Sequence, residues 1–205
     1  MIYCFGDSFT YGDELADKQH AWPTVLGKII QGLSVNYGQG GASNSWILRK
    51  SVQKCMENKP DIAVVAWTSA NRYEFFQPDN RSLCLNPGHV DRLYFADTLY
   101  KHWHNDVGKF IEWICQCILL QNFFVANNIE YYFANVFSIV ELLEENTDNA
   151  ELQSWLDKLN TNRFMGWSDE TLMTWSKDMP LGPGGHPLEQ GHRRIAEKIH
   201  EHIRR

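Results

Sequence analysis

Met1-Ile2-Tyr3-Cys4-Phe5-Gly6-Asp7-Ser8-Phe9-Thr10-Tyr11-Gly12 is an apolar run that breaks directly into glycine, aspartate and serine. A short apolar run bounded by turn residues predicts a strand and the loop that leaves it. In an open α/β sheet, a serine just past the carboxyl end of a strand lies at the rim where ligands bind, which makes Ser8 the candidate nucleophile. A serine hydroxyl is a poor nucleophile at neutral pH and requires a base. A histidine elsewhere in the chain has to supply it.

Outward from this stretch, strand and helix alternate. Residues 20–32 place apolar side chains at helical spacing, with Pro23 suited to a first turn. Residues 34–37 read as a second strand, residues 38–44 as a glycine-rich turn, and residues 45–58 as a helix. Asp61-Ile62-Ala63-Val64-Val65-Ala66-Trp67 is nearly continuous in apolar residues, the pattern of a strand buried on both faces of a parallel sheet. Residues 107–127 predict the longest helix, residues 129–137 a fourth strand, and residues 138–145 and 150–159 further helices. The alternation predicts an α/β fold with a central parallel sheet and helices on both faces. Residues 77–106 lack a sustained period and contain Pro78, Pro87 and Gly88, which reads as an insertion or lid within a single domain spanning 1–205. Residues 161–180 match no element.

Near the other end, Leu181-Gly182-Pro183-Gly184-Gly185-His186-Pro187 is a turn-rich loop before a helical pattern that runs from Leu188. A histidine held on such a loop with an accessible ring suits a general base. The Gly-Asp-Ser block and the His-Pro loop together resemble the SGNH (GDSL-type) hydrolase family, and the likeness spans the chain in islands. The resemblance implies a three-layer α/β/α sandwich of flavodoxin-like type and a serine hydrolase that cleaves an acyl or acetyl ester through an acyl-enzyme. It implies Ser8 as nucleophile, His186 as base, and backbone N–H groups of Ser8 and Gly41 as oxyanion donors. No cofactor is implied, and the partner is a small-molecule or carbohydrate ester.

The chain departs from the family at two places. The family's Gly-x-Asn-Asp block supplies an oxyanion asparagine, but this chain has Trp67-Thr68-Ser69-Ala70-Asn71-Arg72 there. Strict overlay puts Thr68 at that place, and Asn71 is the preferred replacement from one turn later. Arg72 either pairs with Glu74 or binds an anionic group. The family's aspartate three residues before the histidine is Pro183 in this chain, leaving Asp178, Glu189 or a backbone carbonyl to orient the imidazole. Tyr94, Phe95, Tyr100 and Trp103 suggest a covered apolar or sugar-stacking site, or part of the core.

Composition narrows the alternatives. The 205 residues carry a formal net charge of −6, which offers no electrostatic footprint for nucleic acid or an anionic membrane. No run reaches the roughly 20 apolar residues of a membrane span. Neither a leader pattern nor a disulfide framework is evident among five cysteines without CxxC spacing, and a cytoplasmic location is expected. His102 and His104 flank Trp103 without a third ligand at metal spacing, so no metal site is expected. His192, His200 and His202 read as solvent-facing helix residues. The Gly-x-Ser-x-Gly elbow of α/β-hydrolases is absent. Two rivals remain: a catalytically silent relative that binds a glycan or partner protein, and a flavodoxin-like phosphate or FMN binder.

Overall fold

The structure, a computed structural model, describes residues 1–79 and 81–204. Asn80, inside the expected insertion, and Arg205, the last residue of the sequence, lie outside the described residues. The strands are β1 (Ile2–Gly6), β2 (Ser34–Gly38), β3 (Ile62–Trp67), β4 (Tyr73–Phe76), β5 (Ser82–Leu85) and β6 (Glu130–Asn135). Four of them form one sheet in the order β2-β1-β3-β6, with every pairing parallel. The helices are α1 (Ser8–Tyr11), α2 (Trp22–Ile29), α3 (Asn44–Glu57), α4 (Tyr94–His102), α5 (Asp106–Ala126), α6 (Val140–Glu144), α7 (Ala150–Leu156), α8 (Leu172–Ser176) and α9 (Glu189–Ile203).

Alternate side chains of the central strands enter two separate cores, because successive residues of a strand point to opposite faces. Phe5, Val65 and Phe133 lie in register across the sheet and pack with Trp46 and Ile47 of α3 and Phe110, Trp113 and Phe124 of α5. Cys4, Val64 and Ala134 face the other way, onto Trp22 and Leu26 of α2 and Ile195 and Ile199 of α9. Burial on both faces explains why β1 and β3 read as continuous apolar runs. The expected α/β/α architecture is therefore the observed one.

Helix boundaries follow local chemistry. Pro23 occupies the first turn of α2, and Gln31, at φ +52°, ends the run that was expected to reach residue 32. Ser43 caps α3 by accepting from Trp46 N at 3.2 Å. Among the described residues, α5 is the one helix long and apolar enough to cross a bilayer. Phe110, Ile114, Cys117, Leu120 and Phe124 are buried against the sheet, so the apolar content of α5 serves the core.

Two stretches without a readable period do contain elements. In the 77–106 stretch, β5 pairs antiparallel with β4, which immediately precedes that stretch, a 3-10 turn runs over Pro87–His89, and α4 follows. In the 161–180 stretch, Phe164 makes a parallel bridge to Phe133, and Thr171 caps α8. These pieces are three to nine residues long, too short for a periodic signal to accumulate.

A parallel sheet brings the carboxyl ends of all its strands to one rim. The loops after β1, β2 and β3, which carry Ser8, Gly41 and Arg72, therefore meet there. The loop before α9 comes to the same rim.

Candidate active site

Asp7 ends the turn after β1 and caps α1, its Oδ1 accepting from Phe9 N at 3.0 Å. Backbone N–H groups of Thr10 and Tyr11 donate to Asp7 O, and those of Gly12 and Asp13 donate to Ser8 O. Ser8 is thereby fixed at the start of a tight helical turn, with 5% of its surface exposed. Gly41, at φ +72°, turns the chain after β2, and beyond its own chain neighbours no atom of the described residues lies within 4 Å of where its Cβ would stand. Among the described residues, neither the Ser8 nor the Gly41 N–H is taken up by a backbone hydrogen bond.

Ser8, Gly41 and His186 line one cavity of about 620 Å³ together with Phe9, Asp13, Ser69, Arg72 and Phe137. The Phe9 and His186 rings stand 5.5 Å apart between centroids, which ties the segment carrying Ser8 to the loop carrying His186. The structure places the serine and histidine on one cavity and, among the described residues, forms no hydrogen bond between their side chains. Catalytic hydrogen bonds are often long before substrate is engaged.

The carboxylate that holds the histidine is Glu14. One of its oxygens accepts from Gly184 N at 2.7 Å, while the other accepts from His186 N at 3.1 Å and lies 2.8 Å from His186 Nδ1. The N–H groups of Gly184 and His186, and then the ring itself, hold the Glu14 carboxyl below the usual carboxylate range. With Nδ1 bound to a carboxylate, the favoured tautomer leaves Nε2 without a proton and able to accept one. Glu14 adopts φ +65°, a left-handed conformation uncommon for a residue with a side chain.

This geometry corrects the expectation for the third member of the site. Asp178 is exposed and makes no hydrogen bond or ion pair with His186 among the described residues. Glu189 faces His20 instead, 3.7 Å from its Nε2. Sequence proximity suggested both, whereas Glu14 is 172 residues from the histidine it binds. Its acidic type and its place soon after Ser8 were the only available signals, and Asp13 and Asp17 share them.

The loop after β3 also differs from expectation. Asn71 does not line the Ser8 cavity: its Oδ1 is buried without a hydrogen-bond partner among the described residues, and the residue lines a small neighbouring pocket with Phe110 and Trp113. Tyr100 donates its hydroxyl to Asn71 O at 2.7 Å. Thr68 turns its hydroxyl away from the cavity and donates to Asp7 Oδ2 at 2.6 Å. Arg72 reaches the cavity instead, with Nη1 donating to Ala42 O at 2.9 Å and Nη2 3.3 Å from Asp7 Oδ2. Glu74 pairs with Arg49, not with Arg72. Asn44 clamps the loop from below: its side chain accepts from Thr68 N at 2.9 Å and donates to Thr68 O at 3.0 Å.

Other expectations fall out similarly. Tyr94, Phe95, Tyr100 and Trp103 do not line the Ser8 cavity; Asn86 and Pro87 reach it from the same stretch. Tyr94 and Trp103 are 89% and 77% exposed, so these two are not core residues either. His104 lies between Tyr73 Oη and Asp106, and no group of three metal-ligating side chains occurs among the described residues. His192 is fully buried rather than solvent-facing; its Nδ1 accepts from Trp22 N at 3.2 Å.

The description "family of unknown function", DUF6071, matches residues 10–205. The chain belongs to that DUF6071 family. No curated protein sequence matches this DUF6071 chain. Among solved structures, it is similar to a psychrotrophic esterase from Pseudoalteromonas sp., at 12% identity and a TM-score of 0.60 over 99% of this chain and 96% of the other. A lipolytic protein of the G-D-S-L family from Veillonella parvula aligns at 15% identity and a TM-score of 0.56, over 100% and 98% of the two chains. An acetyl xylan esterase from the rumen bacterium Butyrivibrio proteoclasticus aligns at 14% identity and 0.55, over 99% of this chain and 63% of the other. The DUF6071 chain thus has the fold of the G-D-S-L lipolytic proteins and esterases, and its activity has to be argued from its own site.

Proposed function

We propose that this chain is a serine hydrolase acting on an ester through Ser8, His186 and Glu14. The observation that carries the reading is the convergence of Ser8 and His186 on one cavity, with the Glu14 carboxylate on the far ring nitrogen of the histidine. A nucleophile, a base and a group that orients the base are the parts acyl transfer requires.

Each part has a role in the proposed reaction. Ser8 Oγ attacks the ester carbonyl carbon while His186 Nε2 takes its proton, and the carbonyl π pair moves onto oxygen. The Ser8 and Gly41 N–H groups meet the resulting oxyanion, where a preorganised donor is worth about 3 kcal/mol. Collapse expels the alcohol, which leaves with the proton from His186. Water, deprotonated in turn by His186, then releases the acid and regenerates Ser8. Glu14 keeps the proton on Nδ1 and stabilises the imidazolium without exchanging a proton itself.

The solved neighbours support an ester as substrate, since two are described as esterases and one was studied in a form inhibited by monoethylphosphonate. The test is labelling by a fluorophosphonate probe together with turnover of a short-chain aryl acetate. Wild type is expected to label on Ser8 and hydrolyse the ester, and Ser8→Ala to do neither while keeping its circular dichroism. Retained turnover in Ser8→Ala overturns the assignment. A wild-type chain that fails to label favours the reading as a silent binding relative, which the departures at Asn71 and Pro183 also motivate.

A further inference from the structure

Arg72 is the residue whose position the preceding roles leave unexplained. Among the described residues lining the Ser8 cavity, it alone carries a lysine or arginine charge, and its side chain is 12% exposed. Its guanidinium is fixed at two points: Nη1 donates to Ala42 O, and Nη2 approaches Asp7 Oδ2. Ala42 follows Gly41 and Asp7 precedes Ser8. The guanidinium therefore bridges the two loops whose N–H groups serve the oxyanion in the proposed reaction. A guanidinium has five N–H donors in a rigid plane, and these two contacts leave the majority of them for other partners.

We propose that Arg72 is the side-chain oxyanion donor of this site, the role that the family resemblance had suggested for Asn71. The inference rests on the ester-hydrolase reading. When Ser8 Oγ bonds to the carbonyl carbon and the electron pair moves to oxygen, that oxygen receives N–H bonds from Ser8, Gly41 and Arg72. The charge is released again when the alcohol departs. Asp7 sets the position of the donor in advance. It is fully buried, and Phe9 N and Thr68 Oγ1 also fix its carboxylate, so the guanidinium does not need to reorganise as charge develops.

The competing role is purely structural, namely neutralising the buried Asp7. Two substitutions separate the roles. Arg72→Gln removes the charge and leaves the Asp7 carboxylate without a cation; Asp7→Asn in the same chain removes that carboxylate and keeps a residue able to cap α1. Full-length wild type, Arg72→Lys, Arg72→Gln and Asp7→Asn/Arg72→Gln are compared by kcat and KM on an aryl acetate, by the rate of Ser8 phosphonylation, and by Tm. Arg72→Gln is expected to lose about 10²- to 10³-fold in kcat, the range seen when one oxyanion donor is removed, with KM within about threefold. Arg72→Lys is expected to fall between Gln and wild type. The double variant is expected to regain Tm without regaining kcat or phosphonylation rate.

Recovery of wild-type kcat in the double variant overturns the inference, as does an Arg72→Gln chain that keeps its kcat or loses only in KM. If wild type neither labels nor turns over, the hydrolase reading fails and the Arg72 role falls with it. If wild type is active and the Arg72 variants match it, the Arg72 role fails alone.

Discussion

Glu14→Gln removes the charge from the group that holds His186 while keeping nearly the same shape, and the structure says what must follow. Three N–H donors converge on the carboxylate: Gly184 N on one oxygen, and His186 N and Nδ1 on the other. A carboxylate accepts at both oxygens, but an amide accepts at one and donates at the other. If the amide oxygen faces Gly184, its NH2 group confronts both His186 donors. Nδ1 must then give up its proton and become an acceptor, which places the proton on Nε2 and leaves no base facing Ser8. If the amide is flipped, the ring keeps its tautomer, but the NH2 group meets the Gly184 N–H and the loop must shift. Neither arrangement retains a negative charge beside the imidazolium that the proposed reaction forms during attack.

The expected effect is a fall in kcat of about 10²- to 10⁴-fold, the range of a lost or misdirected general base. KM should change little, because Glu14 is not among the residues lining the cavity. Steady-state kinetics on an aryl acetate give the split, and Ser8 phosphonylation by a fluorophosphonate should slow in parallel. A Glu14→Gln chain within threefold of wild type in kcat shows that the ring does not depend on Glu14 and refutes this account of the site. The donors that hold the Glu14 carboxyl below the usual range also predict that it stays ionised in weak acid. Its hold on the loop is present above the ordinary carboxylate pKa and is lost only as pH falls through the depressed one.

Two further outcomes concern stability. Burial pushes the His192 imidazole down to about 4 from 6.5, so the unfolded chain binds a proton that the folded chain refuses between those values. Stability from this group is complete above pH 6.5 and falls by about 2 kcal/mol between pH 7 and pH 5, roughly 4–8 °C in Tm. A His192→Gln chain whose Tm has the same pH slope as wild type would sink the assignment. Asn44→Ala strips both partners from the Thr68 backbone and is expected to cost about 2–5 kcal/mol by denaturant unfolding. Activity should fall with it, since the Arg72 loop loses its clamp; a change below 1 kcal/mol would show the clamp to be redundant.

The sheet was legible in the sequence because its two central strands are buried on both faces and so must be apolar throughout. Ser8 and His186 were legible as candidates because each lies on a turn-rich loop beside a regular element and because the two blocks together resemble a known family. Glu14 was not, for a physical reason: its reach depends on a backbone φ of +65° and on the approach of a loop from the far end of the chain. Asn71 and Arg72 differ by one residue in a turn, which decides whether a side chain enters the Ser8 cavity or the pocket beside Phe110, and composition does not set that phase. His192 was readable in principle. It shares the α9 face with Ile195, Ala196 and Ile199 at helical spacing, a pattern that marks it as a core position whatever its polarity.

Two of the departures, Arg72 in place of Asn71 and Glu14 in place of Asp178, meet on one segment of chain. Segment 6–14 carries Ser8, holds Arg72 through Asp7 and holds His186 through Glu14, so three parts of the site are referred to a single turn of chain. That turn is closed by Gly12, whose φ of +86° and 2.9 Å clearance to the Ala21 and Leu15 side chains admit no other residue without displacement. Asp7 lies before the turn and Glu14 after it, so the geometry of α1 sets the distance between the group that anchors Arg72 and the group that orients His186. A site built this way does not need an acid beside its histidine in sequence, and Pro183 is free to stiffen the loop instead. In the proposed reaction the orienting carboxylate lies on the nucleophile's own segment, so the contacts that place Ser8 also place Glu14.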